Sequence, residues 1–172
     1  MTQRTADIAI VGGGIGGLAL ALHLHHRGVV CDVFEAVPQV NEIGVGITVL
    51  PHAMRELAAL GLAESVEAAG IENYESVFYN RYGQFIYSEL RGRHAGYVLP
   101  EVGIHRGKLH KILWDAAVQR LGSERVHTGH RFASLHQDET GVTLLFTGAQ
   151  GQSLPAVRSG VVVAADGVNS AV

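Results

Sequence analysis

The sequence predicts an α/β fold: a parallel sheet flanked by helices, a β-meander over one side, and the start of a separate antiparallel sheet. Three observations carry this. A strand, a glycine-rich turn, a helix and a second strand follow one another within residues 7–35, the order of a βαβ unit. Another continuous apolar run, Gly160-Val161-Val162-Val163-Ala164-Ala165, reads as a further buried parallel strand. Between them, residues 131–137, 141–146 and 152–157 read as a three-stranded meander with glycine-marked turns.

Composition sets the outer bounds. Of 172 residues, 47% are hydrophobic and 17% charged, enough for one domain with its own core and too apolar for a disordered chain. Glycine is in excess at 22 residues, which implies tight turns and places where backbone approaches something closely. The net charge of −3 comes with no basic run, so no nucleic-acid-tracking face is expected. The single cysteine, Cys31, sits in the run Val29-Val30-Cys31-Asp32-Val33-Phe34. It reads as a small buried core residue, and its solitude agrees with a cytoplasmic location. Ile8 to Leu22 is apolar, but patterned glycines break it and a His/Arg-rich segment follows. It is neither a signal-peptide core nor long enough to span a bilayer, and no membrane partner is expected.

Along the chain, Asp7–Val11 is the first strand, and a helix with Ile15, Leu18, Ala19 and Leu22 at helical spacing follows, stopped near Gly28. Val29–Phe34 is the second strand. Residues 41–48 read as a Gly-containing loop. Pro51 opens a helix to about Leu60, with Met54, Leu57 and Ala58 inward and Gly61 closing it, and Ala63–Ala69 is a further short helix. Residues 76–79 and 84–88 form a hairpin turning at Arg81-Tyr82-Gly83, and 94–104 return irregularly. Gly107–Leu121 is an amphipathic helix with Leu109, Ile112, Leu113, Ala116 and Ala117 on one face and Trp114 beside it. Arg125–His127 is a short strand. The meander strands are 131–137, 141–146 and 152–157. The last strand delivers Asp166-Gly167, and the chain stops where a covering helix is expected, so it reads as part of a longer protein.

The chemistry concentrates at Gly12-x-Gly14-x-x-Gly17. Gly12 permits the tight turn, Gly14 leaves room for a pyrophosphate, and Gly17 lets the helix pack on the strand. Ile15 and Gly16 complete the cradle, where helix N–H groups and the positive dipole end face the phosphates. Glu35, 18 residues after Gly17 and followed by Ala36, stands at the second strand's end. A carboxylate there accepts from both ribose hydroxyls of an adenosine and disfavours a 2′-phosphate. These features fit NAD and FAD equally.

Two later segments separate them by resemblance. Ile104-His105-Arg106-Gly107-Lys108-Leu109 resembles the HR-x-x-L segment of FAD aromatic hydroxylases, and Ala165-Asp166-Gly167-Val168-Asn169-Ser170 resembles their D-G-x-x-S-x-x-R motif. With the glycine fingerprint and Gly44-Val45-Gly46-Ile47, the chain resembles the para-hydroxybenzoate hydroxylase superfamily, in the branch of salicylate and phenazine-carboxylate hydroxylases. The likeness runs from residue 6 to the end. The arginine closing the D-G motif is absent, because the chain stops one residue short.

This resemblance implies a Rossmann-like FAD/NAD(P)-binding sheet in residues 1–73 and 105–172, with 74–104 an excursion into substrate-domain strands. It implies bound FAD, NAD(P)H as co-substrate and a small aromatic substrate, and it is compatible with a homodimer. Gly12, Gly14 and Gly17 would hold the FAD pyrophosphate and Glu35 the ribose. Arg106 would serve the pyrophosphate and ribityl chain, Val126 the adenine through its backbone, and Gly46 and Ile47 the ribityl and isoalloxazine side. Asp166 and Gly167 would form a shared FAD and NAD(P)H motif, though Asp166 is also placed to cap a helix. No catalytic base can be named. Two alternatives stay open: an NAD-binding dehydrogenase domain, and a non-catalytic FAD-binding fragment, since the chain alone is expected to be inactive. Of ten histidines, His23, His25 and His26 read as exposed helix residues without a metal's third ligand. His105 reads as a packing or hydrogen-bonding group.

Overall fold

The computed structural model describes residues 4–38 and 44–172. In chain order the elements are β1 (Arg4–Val11), α1 (Ile15–His26), β2 (Asp32–Phe34), β3 (Gly46–Val49), α2 (Pro51–Ala59), α3 (Ala63–Ala69), β4 (Ile71–Glu72), β5 (Glu75–Tyr79), β6 (Phe85–Leu90), a 3-10 turn (Gly92–Ala95), β7 (Val102–His105), α4 (Arg106–Leu121), β8 (Val126–His127), β9 (Arg131–Asp138), β10 (Gly141–Thr147) and β11 (Val157–Ala164). They form two compact units, residues 1–41 with 113–172 and residues 42–112.

The first unit is built on a six-stranded sheet in the order β8-β2-β1-β11-β10-β9. Its first four strands run parallel, and β10 and β9 join antiparallel. Successive side chains of β1 point to opposite faces. Ala9 and Val11 pack with Phe34, Leu144, Phe146 and Val157 in one core. Ile10 belongs to the other face, and α1 buries Leu18, Ala21 and Leu22.

Several expectations change here. The second strand starts at Asp32 instead of Val29. Gly28, at φ +73°, ends α1. The Val29 N–H still donates to the Leu24 carbonyl at 2.9 Å, so the chain is leaving the helix until Cys31. The third meander strand expected at 152–157 does not form: Ser153 makes only an isolated bridge to Thr147, and the final strand begins early, at Val157, so that β11 itself pairs antiparallel with β10 at Val157–Ser159 and parallel with β1 along its length. Gly160 does not interrupt it. Ser159 is buried, and its hydroxyl donates to the carbonyl of Val161 at 2.7 Å, which satisfies it inside the strand.

Cys31 is buried, with Sγ 3.8 Å from the Ala21 carbonyl. Burial, and after it the neighbouring Asp32, pushes its thiol up to about 11. At pH 7 only about one thiol in ten thousand is then the reactive thiolate. Alkylation by iodoacetamide is expected to be negligible in the folded protein and rapid after denaturation. Labelling at equal rates in both states would contradict this burial.

The second unit packs α2, α3 and a three-stranded antiparallel sheet in the order β3-β7-β4. Two of its strands were expected as irregular chain, Gly46–Val49 and Val102–His105. β7 alternates buried and half-buried residues, but at four residues between proline- and glycine-bearing segments its period is too short to stand out. The expected loop at 41–43 lies outside the described residues. In α2, Met54 and Leu57 are buried as expected, but Ala58 is exposed and Leu60 takes the inward place. The hairpin β5–β6 forms as expected, with Asn80 Oδ1 accepting from the N–H of Tyr82 and of Gln84 at 2.9 and 3.1 Å. Among the described residues no helix is long and apolar enough to cross a membrane.

Candidate functional site

In the first unit the glycine turn sits between β1 and α1, at the carboxyl ends of the central parallel strands. Three glycines there answer to three different constraints. Gly12 takes φ +111°, and a β-carbon on it would lie 2.3 Å from the Ala165 carbonyl oxygen. A β-carbon on Gly17 would lie 2.0 Å from the carbonyl oxygen of Gly12, so helix and turn touch backbone to backbone. A β-carbon on Gly14 would meet nothing within 4 Å. That open space lies at the start of α1, where Gly14 is the N-cap, no side chain caps the helix and no acidic residue occupies the first turn. The N–H groups of Ile15, Gly16 and Gly17 precede the first helical bond, from Leu18 to Gly14. They make the turn a seat for an anion.

Glu35 stands at the end of β2. Its Oε2 accepts from Gly13 N–H at 2.6 Å and its Oε1 from Val37 N–H at 2.8 Å. Each carboxylate oxygen has a second lone pair, so the side chain both pins the turn and offers acceptors beyond it. A β-carbon on Gly13 would lie 2.9 Å from Glu35 Cβ and 3.1 Å from Trp114 Cζ3. Trp114, beside the apolar stripe of α4, is therefore a packing residue behind the turn.

A cavity of about 180 Å³ opens at this edge of the sheet, lined by Gly12, Glu35, Ala36, His130 and Asp166 among others. Asp166 reaches it because Ala165 N–H donates to the Val11 carbonyl at 2.8 Å. Its Oδ1 accepts from the Ser170 hydroxyl and its Oδ2 from Ala171 N–H, both at 2.7 Å. Desolvation raises the Asp166 pKa, but these hydrogen bonds outweigh it and hold the group below the usual carboxylate range. No helix follows Asp166 among the described residues, and its bonds reach four to six positions on instead of the two or three of a helix cap, so it ties down a turn that Gly167 opens at φ +87°.

Val126 lies on the edge strand β8. Val33 N–H donates to the Arg125 carbonyl at 2.8 Å and Glu35 N–H to that of His127 at 2.7 Å. By the alternation of a parallel ladder, the N–H and carbonyl of Val126 point away from β2.

The remaining predicted residues lie in the second unit. Gly46 and Ile47 pair with His105 and Ile104 across β3–β7, and a β-carbon on Gly46 would meet nothing within 4 Å. Arg106 is exposed at the start of α4, with its N–H donating to the Val45 carbonyl at 3.0 Å. His105 Nδ1 accepts from Gly107 N–H at 3.2 Å, which leaves Nε2–H to donate to the Gly44 carbonyl at 2.9 Å. It is a hydrogen-bonding histidine, as its sequence setting suggested.

Sequence reasoning missed Asp32, which is 1% exposed and held by Arg125 and His127. The available signal was a lone carboxylate inside an apolar strand run. His130, on the cavity wall, had no sequence signal at all. No group of three or more metal-ligating side chains exists among the described residues.

Residues 5–172 match the family described as FAD binding domain. The chain belongs to this FAD-binding domain family. Phenazine 1,6-dicarboxylic acid hydroxylase PhzS of Lysobacter antibioticus is 38% identical over 173 residues, covering 99% of this chain and 42% of its own length. The 3-hydroxybenzoate 6-hydroxylase of Polaromonas naphthalenivorans is 32% identical over 177 residues, covering 100% of this chain and 43% of its own. Among solved structures, the rebeccamycin biosynthetic enzyme RebC with reduced flavin superposes with a TM-score of 0.80 at 27% identity, covering 99% of this chain and 34% of that one. The FAD-binding domain thus spans less than half the length of these relatives.

The first unit fits FAD on its own geometry. The empty space at Gly14 and the uncapped amides of α1 suit a pyrophosphate, and the Glu35 carboxylate beside them suits a ribose. No acidic side chain in the first helical turn opposes the phosphates.

Proposed function

We propose that this FAD-binding domain serves a flavoprotein monooxygenase that uses NAD(P)H and O₂ to hydroxylate a small aromatic substrate. The observation that carries the reading is the backbone cradle at Gly12–Gly17 with Glu35 at its rim, in a chain whose relatives include hydroxylases of aromatic acids. Bound FAD supplies the redox chemistry that passes electrons from NAD(P)H to O₂.

The chain's own residues bind and orient. Gly12, Gly14, Ile15, Gly16 and Gly17 seat the pyrophosphate. Glu35 accepts from the ribose hydroxyls, with Ala36 against the adenosine, and the outward backbone of Val126 meets the adenine. Asp166 borders the same cavity and, with Gly167, forms the motif shared with NAD(P)H. For the second unit, the proposal assigns Arg106 to the pyrophosphate and ribityl chain, where a permanent forked cation is apt. It assigns Gly46 and Ile47 to the ribityl and isoalloxazine side, and residues 74–104 to the beginning of the substrate-binding sheet.

Glu35→Ala is expected to weaken FAD binding by roughly 1–3 kcal/mol through lost hydrogen bonds, read by flavin fluorescence titration, with Glu35→Gln between it and the wild type. An unchanged dissociation constant in both variants would remove Glu35 from the ribose. The reading as a whole is tested in two steps. The purified chain should bind FAD in preference to NAD⁺, and the full-length enzyme should oxidise NAD(P)H faster when an aromatic acid such as 3-hydroxybenzoate is present, with one oxygen atom entering the ring. NAD⁺ binding without flavin, or NAD(P)H oxidation indifferent to every aromatic acid, would contradict it.

A further inference from the structure

Asp32 is a carboxylate buried to 1% exposure at the start of β2, and no part of the proposed reaction uses it. Burying a charge is costly unless donors meet it, and here Arg125 and His127 do. Arg125 Nη1 lies 3.2 Å from Oδ2, and His127 Nε2–H donates to Oδ1 at 3.0 Å. These partners are the residues on either side of Val126. Residues two apart on a strand share a face, so one carboxylate grips both flanks of the residue whose backbone turns outward.

The strand it grips needs holding. β8 is two residues long and lies at the sheet edge, paired through Val33↔Val126 and Phe34↔His127. So short an edge strand is a poor fixed point unless side chains tie it down. The His127 ring is fixed on its other side by stacking on Phe34, centroids 4.7 Å apart. The same stretch also sets Glu35. The Glu35 N–H donates to the His127 carbonyl at 2.7 Å, and its carbonyl accepts from His130 N–H at 2.8 Å.

We infer that Asp32 is a positioning residue for the adenosine half of FAD: through Arg125 and His127 it fixes β8, and thereby both the outward backbone of Val126 and the ribose-facing Glu35. The inference rests on the FAD reading above. It adds that discrimination of the adenosine is built from beneath the sheet edge, by a residue that does not touch the ligand.

The test uses Asp32→Asn, which keeps the shape and one acceptor, together with Arg125→Gln and His127→Gln. A fourth variant, Val142→Ala, removes buried volume on β10, far from β8 in the sheet order and outside the core cluster that holds Phe34, and serves as a stability control. FAD and ADP are the probes, and amide hydrogen exchange is followed in the ligand-free protein. Asp32→Asn is expected to lose about tenfold in affinity for both FAD and ADP, the worth of one buried charged hydrogen bond. Exchange at the amides of Val33 and Glu35 should rise while the β1–β11 ladder stays protected. Val142→Ala should lower the melting temperature without changing ADP affinity. ADP affinity unchanged in Asp32→Asn overturns the inference, whether or not exchange rises, as does an equal ADP loss in Val142→Ala. Wild-type protein that binds neither FAD nor ADP contradicts the underlying FAD reading instead, and the exchange data then show separately whether Asp32 holds β8.

Discussion

Gly14→Val is expected to leave the domain folded and to abolish FAD binding. The backbone at Gly14 is extended, with φ −74° and ψ 179°, a conformation every residue adopts. A β-carbon there touches nothing within 4 Å, so the folded chain has room for the new side chain. That room is where the pyrophosphate must approach the α1 amides. Filling it forces the phosphates out of reach of those donors, at a cost of about 3 kcal/mol or more, which is over a hundredfold in affinity. Circular dichroism and melting temperature should match the wild type while FAD titration shows no binding. Retained affinity would mean that the phosphates lie elsewhere.

Gly17→Ala should do the reverse, failing in the fold before it fails in binding. Its β-carbon would sit 2.0 Å from the Gly12 carbonyl oxygen, and Gly12 itself is backed by the Ala165 backbone, whose carbonyl oxygen lies 2.3 Å from where a Gly12 side chain would begin. Backbone on both sides leaves no flexible side chain to yield. The helix must lift off the strand, uncovering Leu18 and its contacts in the α1 face of the core. A loss of about 3 kcal/mol is expected, or roughly 6–12 °C in melting temperature for a chain of this size. A melting temperature within a degree or two of the wild type would show that α1 does not pack as closely as these distances say. The pair separates two roles that one motif conflates, since Gly14 is small for the ligand's sake and Gly17 for the fold's.

That difference was legible in the sequence, because the spacing of Gly12, Gly14 and Gly17 between a strand and a helix dictates both roles. The parallel strands, the order of elements around them and Glu35 at the tip of β2 were legible for the same reason, as local patterns with a fixed period. What escaped was set by pairing at long range. β3 and β7 are four residues each and become strands only by finding one another 50-odd positions apart in the chain. The continuity of β11 through Gly160 depends on β1 lying alongside it, a partner more than a hundred residues away. Asp32 stood in plain view as a charge in an apolar run. Its purpose depends on Arg125 and His127, which reach it only once β8 pairs with β2. His130 reached the cavity wall through the same pairing.

The central claim is that the bare turn after β1 and the acid at the end of β2 form the seat of the FAD adenosine and pyrophosphate. Backbone amide shifts followed by NMR during titration with ADP test it most directly. The account predicts saturable shifts concentrated at Gly13–Leu18, Glu35–Val37 and Val126–His127, with the β5–β6 hairpin unmoved. Saturable binding that leaves those amides in place, and moves another part of the sheet, would contradict it.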